Sequence, residues 1–121
     1  MRPHLLSWQW QGYELYHRDR ANLFLHIATA PLFILGVVAV LASPALGWAA
    51  LAGGVGGMAV ALVAQGRGHR REAKPAEPFL GPGDFVARFF AEQLINFPRF
   101  VLSGKWNRAR RAAIDSPAGR T

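Results

Sequence analysis

Residues 23–42 read LFLHIATAPLFILGVVAVLA and residues 45–64 read ALGWAALAGGVGGMAVALVA, with only Ser43-Pro44 between them. Neither stretch carries a charged side chain, and His26 is the one ionisable group in the pair. A helix of about twenty apolar residues crosses the hydrocarbon core of a bilayer. The two stretches therefore predict an all-α membrane protein built on two transmembrane helices. So short a connection makes them antiparallel neighbours, a hairpin turning at Ser43-Pro44. Gly53, Gly54, Gly56 and Gly57, with Ala49, Ala50 and Ala52 nearby, allow the close backbone approach that membrane helix pairs favour. The same GGVGG is no phosphate loop, because no Lys-Ser/Thr follows it. A first span that starts this far in and is followed at once by a second does not read as a cleaved leader.

Composition agrees with this reading. Of 121 residues, 51% are hydrophobic and only 17% charged, against roughly 25% charged in an ordinary soluble domain. So short a chain could hardly surround two such helices in water. One domain is expected over 1–112, with a flexible tail over 113–121. Fourteen Lys+Arg against seven Asp+Glu leave a net charge of +7. Arg2, Arg18 and Arg20 precede the hairpin, Arg67, Arg70, Arg71 and Lys74 follow it, and its turn has no basic residue. Basic residues stay on the cytoplasmic side, which predicts both termini in the cytosol. The basic C-terminal segment, KWNRARRAAIDSPAGRT, reads as an anchor to anionic membrane lipids rather than to nucleic acid. With no cysteine, disulfide scaffolds, thiolate metal sites, iron–sulfur clusters and thiol nucleophiles are all excluded.

Outside the hairpin, residues 5–17 (LLSWQWQGYELYH) predict a short helix whose Trp and Tyr rings suit the headgroup level. Asp19 or Asn22 can cap the first span. Residues 66–83 form a Gly/Pro-rich connection with one turn of helix expected. Asp84 then caps an amphipathic, interfacial helix over 84–103. In that helix Phe85, Phe89, Leu94, Ile95 and Phe97 alternate with Arg88, Glu92, Gln93 and Asn96, and Pro98 kinks or ends it.

The hairpin returns the chain to the face it started from, so His17, His26 and His69 meet at one interface. His17 and His26 are nine residues apart, on opposite faces of any single helix; a break near Asp19–Asn22 is required if both serve one centre. An ionisable side chain inside an apolar span is a functional-site hypothesis by default, which makes His26 the strongest of the three. Glu72, three residues past His69, can serve as a ligand, accept the second ring N–H of His69, or pair with Arg70 or Arg71. His4 is a fourth ligand or nothing. Histidine and carboxylate without thiolate favour non-haem iron, manganese or zinc.

Tyr13-x-x-x-His17, then Asn22-x-x-x-His26 with Pro31-Leu32 following, resembles the opening of a known family. After the two spans, Gln65-x-x-Gly68-His69-x-x-Glu72-x-x-Pro75-Ala76 continues the likeness. The family is that of the 2-hydroxy fatty acid dioxygenases, small integral membrane proteins formerly grouped as a domain of unknown function. Glu92-Gln93 and Phe97-Pro98-Arg99-Phe100-Val101 are similar to the ending of its bacterial members, so that the resemblance covers about residues 13–104. The chain departs from the pattern at Thr29, where many members have glycine, and at Arg70-Arg71, where an apolar or aromatic residue commonly precedes the glutamate.

The resemblance implies an Fe(2+)-dependent dioxygenase of fatty acid α-oxidation in a bacterial cytoplasmic membrane. Such an enzyme converts a 2-hydroxy fatty acid and O2 into the acid one carbon shorter, without 2-oxoglutarate. It further implies His17, His26 and His69 as the metal ligands, with Asn22, Gln65 and Glu72 as supporting catalytic residues. On a six-coordinate iron held by three histidines, a 2-hydroxy acid can chelate through carboxylate and hydroxyl and leave one position for O2. Arg18, Arg67 or Arg70 can meet the carboxylate, and the acyl chain can lie along the hairpin or among Phe85, Phe89 and Phe90. Two other readings use the same residues. One is a non-catalytic membrane protein that binds lipid or a partner helix, its glycine-rich face suiting a homodimer. The other is a metal that is structural, or zinc that serves hydrolysis.

Overall fold

Helix α1 (Leu5–Gly12) tightens into a 3-10 turn over Tyr13–Tyr16. The chain is irregular through His17–Asp19, and α2 then runs over Arg20–Leu46. The computed structural model describes residues 3–115, and no strand occurs among them. The required break between His17 and His26 is thus present, and Asp19 caps α2 by accepting the Asn22 N–H at 3.0 Å.

Helix α2 does not stop at Ser43-Pro44. Pro44 removes the amide that would bond the Val40 carbonyl, but the Ser43 hydroxyl donates to that same carbonyl at 2.7 Å. The orphaned acceptor is satisfied, so the helix passes through the proline. The turn falls instead at Gly47, whose φ of +96° is costly for any residue with a Cβ. Helix α3 follows over Trp48–His69. The spans are therefore longer than expected, 20–46 and 48–69 in place of 23–42 and 45–64. The Gly66-Arg67-Gly68 stretch, expected to open the connection, continues α3 and carries His69 on its last turn.

The two long helices touch where glycine removes the side chain. A Cβ on Gly54 would lie 2.6 Å from the Gly36 carbonyl oxygen, and one on Gly36 would lie 2.7 Å from the Gly54 carbonyl oxygen. Gly57 also faces α2, against Leu32, whereas Gly53 and Gly56 face away into open space. At the other end of the pair, a Cβ on Gly68 would run into the Asn22 amide. Both helices are long and apolar enough to cross a membrane. Their apolar side chains point outward: Leu35, Val38, Leu41, Val55, Val60 and Val63 are all more than half exposed. The core helices of a water-soluble protein would bury such residues.

After an extended connection without helix over 70–81, α4 runs over Pro82–Ala91. It starts two residues before the expected cap, because proline suits the first helical turn. Asp84 lies inside that turn, accepting the Leu80 N–H at 3.0 Å and pairing with Arg88 at 3.6 Å. A π-helical turn over Glu92–Asn96 joins α4 to α5 (Phe97–Leu102). Pro98 lies at the start of α5, where it breaks nothing. Helix α6 (Lys105–Asp115) was not anticipated. It lies against α2 through Trp106, whose indole donates to the Leu23 carbonyl at 3.1 Å, and its Ala113 is buried. The expected tail thus begins as helix through Asp115, and residues 116–121 lie outside the described part of the chain.

Buried amides bind these pieces together. Gln65 of α3 and Gln93 of the π turn exchange hydrogen bonds through both side-chain amides. Asn96 donates to Gln9 Oε1 at 2.7 Å, and Gln9 donates to the Arg88 carbonyl at 2.9 Å. Tyr13, Leu23, Ala30, Phe97 and Phe100 form the core beneath.

If the Gly36–Gly54 crossing sets the hairpin, Gly54→Leu destabilises the protein by about 1–3 kcal/mol through overpacking. Gly53→Leu, on the open face of the same helix, brings no such loss and leaves stability unchanged or raised by up to about 1 kcal/mol. Thermal unfolding in detergent, followed by circular dichroism, measures both.

Candidate metal centre

The irregular step after the 3-10 turn aims His17 inward, and His26 follows two turns into α2. Each ring uses its Nδ1 on the carbonyl four residues earlier: His17 on Tyr13 at 2.7 Å, His26 on Asn22 at 3.0 Å. A carbonyl only accepts, so each Nδ1 carries a proton, and in the neutral ring each Nε2 keeps a lone pair. Both Nε2 atoms face one oxygen, Glu92 Oε1, at 3.2 and 3.1 Å. His69 Nε2 lies 3.9 Å from the same oxygen.

The three rings form a tripod. Their centroids are 4.9, 4.9 and 4.8 Å apart, and their planes stand at 89°, 77° and 86° to one another. One ligand atom from each histidine and one from Glu92 all lie within 4.8 Å of one another. Atoms bound to one cation at about 2.1 Å sit about 3.0 Å apart at right angles and about 3.4 Å apart at the tetrahedral angle. Two of the three nitrogen–oxygen distances fall in that range, and the third, from His69 Nε2 at 3.9 Å, lies about half an ångström beyond it. The group can therefore hold a metal ion. Three imidazoles and one carboxylate suit iron, manganese or zinc.

Electrostatics favour the same occupant. Burial pushes the His17 imidazole down to about 4, the lowering outweighing the Glu92 charge beside it. The ring is thus neutral at pH 7 and free to donate a lone pair. Burial alone would raise the Glu92 carboxyl, but His17, His26 and His69 packed against it hold it well below the ordinary carboxylate value. Tyr13 stacks on His17 with centroids 3.9 Å apart and planes 6° from parallel. Its hydroxyl donates to Glu92 Oε1 at 3.0 Å. Burial, with the charge of Glu92 and this hydrogen bond, raises the Tyr13 phenol well above its usual value, so it remains a donor.

Of the residues singled out in the sequence, His17, His26 and His69 are brought together. Asn22, Gln65 and Glu72 surround them at one remove. Glu72 is not among the converging groups: its carboxylate accepts the Arg18 and Asp19 amides and the Asn22 side-chain amide at 2.6–3.0 Å. It holds in place the chain between His17 and the start of α2. Asn22 links that clamp to His26 through its own carbonyl. Gln65 donates to Thr29 Oγ1 and to Gln93. Arg18, Arg67 and Arg70 are exposed and do not line the cavity described next; nor does His4, which caps α1 from its outer end. The residue missed is Glu92, taken as a polar position of the amphipathic helix. It stands three and seven residues after Phe89 and Phe85, on the apolar stripe, and a carboxylate there was the available signal.

A cavity of about 490 Å3 opens on this cluster. His17, His69, Glu92 and Gln65 lie at its polar end, and Trp8, Leu62, Phe79, Phe85 and Phe89 supply apolar wall. The guanidinium lining it is that of Arg88, which donates to the Glu77 and Pro78 carbonyls at 3.0 and 3.2 Å. It lies over the rings of Phe79 and Trp8 at 4.2 and 5.1 Å. No family model, curated protein or solved structure matches the chain.

His26→Ala removes a donor that nothing nearby replaces and weakens divalent-metal binding by more than roughly a hundredfold, whereas Arg67→Ala leaves it intact. Elemental analysis and competition titration of the purified proteins distinguish the two. A second expectation concerns pH. The unfolded chain binds a proton on His17 near 6.5 and the folded chain only near 4. The metal-free protein therefore loses stability as pH falls from 6.5 to 4, by about 3 kcal/mol. The lowered Glu92 carboxyl adds to the loss below its ordinary value. Denaturant midpoints measured across this range check the sign.

Proposed function

We propose that this protein is an iron(II)-dependent dioxygenase that shortens 2-hydroxy fatty acids by one carbon in fatty acid α-oxidation. The observation that carries the reading is the cluster itself: three imidazoles and a carboxylate oxygen within 4.8 Å, with His17, His69 and Glu92 of the group lining a largely apolar cavity. The resemblance of the Tyr13–His17, Asn22–His26 and Gln65–Glu72 motifs to the 2-hydroxy fatty acid dioxygenases supplies the reaction. It balances with no added reductant: R–CHOH–COOH and O2 give R–COOH, CO2 and water, the substrate losing four electrons and O2 gaining them.

Bound iron(II) supplies a Lewis acid that a 2-hydroxy acid can chelate and a redox partner for O2. The chain supplies the rest. His17, His26 and His69 hold the cation as neutral donors, their tautomers fixed for two of the three by the Tyr13 and Asn22 carbonyls. Glu92 offsets the cation's charge, and the Tyr13 hydroxyl keeps Glu92 Oε1 aimed at the centre. The apolar cavity wall receives the acyl chain and excludes water from the reacting end. The excess of basic residues at both ends of the hairpin favours a cytosolic position for the site, facing the inner surface of a bacterial membrane.

Purified in detergent, loaded with iron(II) and supplied with a 2-hydroxy fatty acid under air, the protein is expected to consume O2 and release the acid one carbon shorter. His17→Ala, His26→Ala and His69→Ala each abolish this. Bound zinc without oxygen uptake would replace the proposal with a structural or hydrolytic metal. No bound metal, with the three variants unchanged in function and stability, would leave a lipid- or helix-binding membrane protein.

A further inference from the structure

The cavity is longer than the metal site needs. From His69 it follows one face of α3 past Gly66 and Gln65 to Leu62, seven residues or about 10 Å of helix away from the cluster. Phe85 and Phe89 of α4 stand opposite. Leu62 is itself 36% exposed on the apolar surface of the span, beside Val63 at 56%. The far end of the cavity is therefore continuous with side chains that face hydrocarbon when α3 crosses a bilayer.

Gly66 lies midway along this face. Gly54 and Gly68 of α3 sit where a Cβ would strike α2, whereas a Cβ on Gly53, Gly56 or Gly66 meets nothing within 4 Å. Of these three open positions only Gly66 lines the cavity. Glycine also costs a helix about 1 kcal/mol relative to alanine. Its effect at this position is to keep the cavity open between the cluster and Leu62.

We propose that Gly66 is a specificity-determining residue: it keeps open a passage between α3 and α4 through which the acyl chain of a single-chain lipid enters sideways from the bilayer, its polar head reaching the histidine cluster. The head-group chemistry rests on the proposed function, but the passage and its occupant rest on the cavity and its continuity with the span surface. Long-chain ligands run past Gly66, and ligands of three or four carbons end before it.

The test compares wild type, Gly66→Leu and Gly56→Leu in detergent, all with metal content measured. Gly56 is a control because a Cβ there also meets nothing within 4 Å and the position is outside the cavity. Specific binding of radiolabelled 2-hydroxyhexadecanoate and 2-hydroxybutanoate is read as the part displaced by excess unlabelled compound. Gly66→Leu is expected to weaken the long-chain ligand by roughly tenfold or more while changing the short one by less than about twofold. Gly56→Leu changes neither, and all three proteins hold the same metal. The proposal is overturned if Gly66→Leu leaves long-chain binding intact, if it weakens both ligands equally, or if wild type shows no specific long-chain binding. Chain-length discrimination without formation of a shortened acid would keep the passage and remove the dioxygenase.

Discussion

The Nε2 atoms of two imidazoles whose Nδ1 protons are committed to backbone carbonyls face a carboxylate oxygen at 3.1–3.2 Å. With the rings neutral this sets acceptor against acceptor out of water, an arrangement that repels itself, and a cation among the three removes the conflict. Much of the fold serves to hold this arrangement. The Glu72 carboxylate pins the residues after His17, the Gln65–Gln93 amide pair ties α3 to the turn that begins with Glu92, and the Asn96–Gln9 contact ties that turn to α1. None of these residues needs to touch a ligand for its loss to be felt at the cluster.

The close crossing of α2 and α3 serves the same end by other means. At Gly36 and Gly54 the backbones are near enough that no Cβ fits, and at Gly68 the end of α3 is brought against Asn22. Because Asn22 also orients His26, the packing of two apolar helices sets the distance between two of the polar groups. Without a hydrophobic drive between helices in lipid, such contact has to come from shape and from hydrogen bonds. Here the glycines supply the shape and the buried amides supply the bonds.

The hairpin and the meeting of His17, His26 and His69 were legible in the sequence because both follow from length and hydropathy. Two apolar stretches with almost nothing between them bring their outer ends together. What was not legible depended on contacts between distant residues. Ser43-Pro44 looks like a turn unless the hydroxyl is known to cover the Val40 carbonyl, and Gly47, which carries the turn, is one glycine among thirteen. Glu72 sits at helical spacing from His69, but α3 ends at His69 and the chain turns Glu72 toward the Arg18 and Asp19 amides. Helix α6 was hidden by its many arginines, since only Trp106 and the alanines mark its inner face. Arg88 was passed over for arginines nearer the spans, although only its place on the stripe of Phe85, Phe89 and Glu92 puts it beside the cavity.

The π-helical turn over Glu92–Asn96 carries a further meaning. Such a turn holds one more residue than the α-helical path around it. Upstream of it Phe85 and Phe89, and at its first residue Glu92, look into the cavity; downstream, Phe97 and Phe100 look into the core. Drop a single codon from this stretch and an ordinary helix forms, with one half rotated by about 100° against the other. The carboxylate and the two phenylalanines could then no longer all point inward. The distance between a chain that can bind an ion and one that merely packs is thus a single insertion, and descent with or without it would divide otherwise similar proteins.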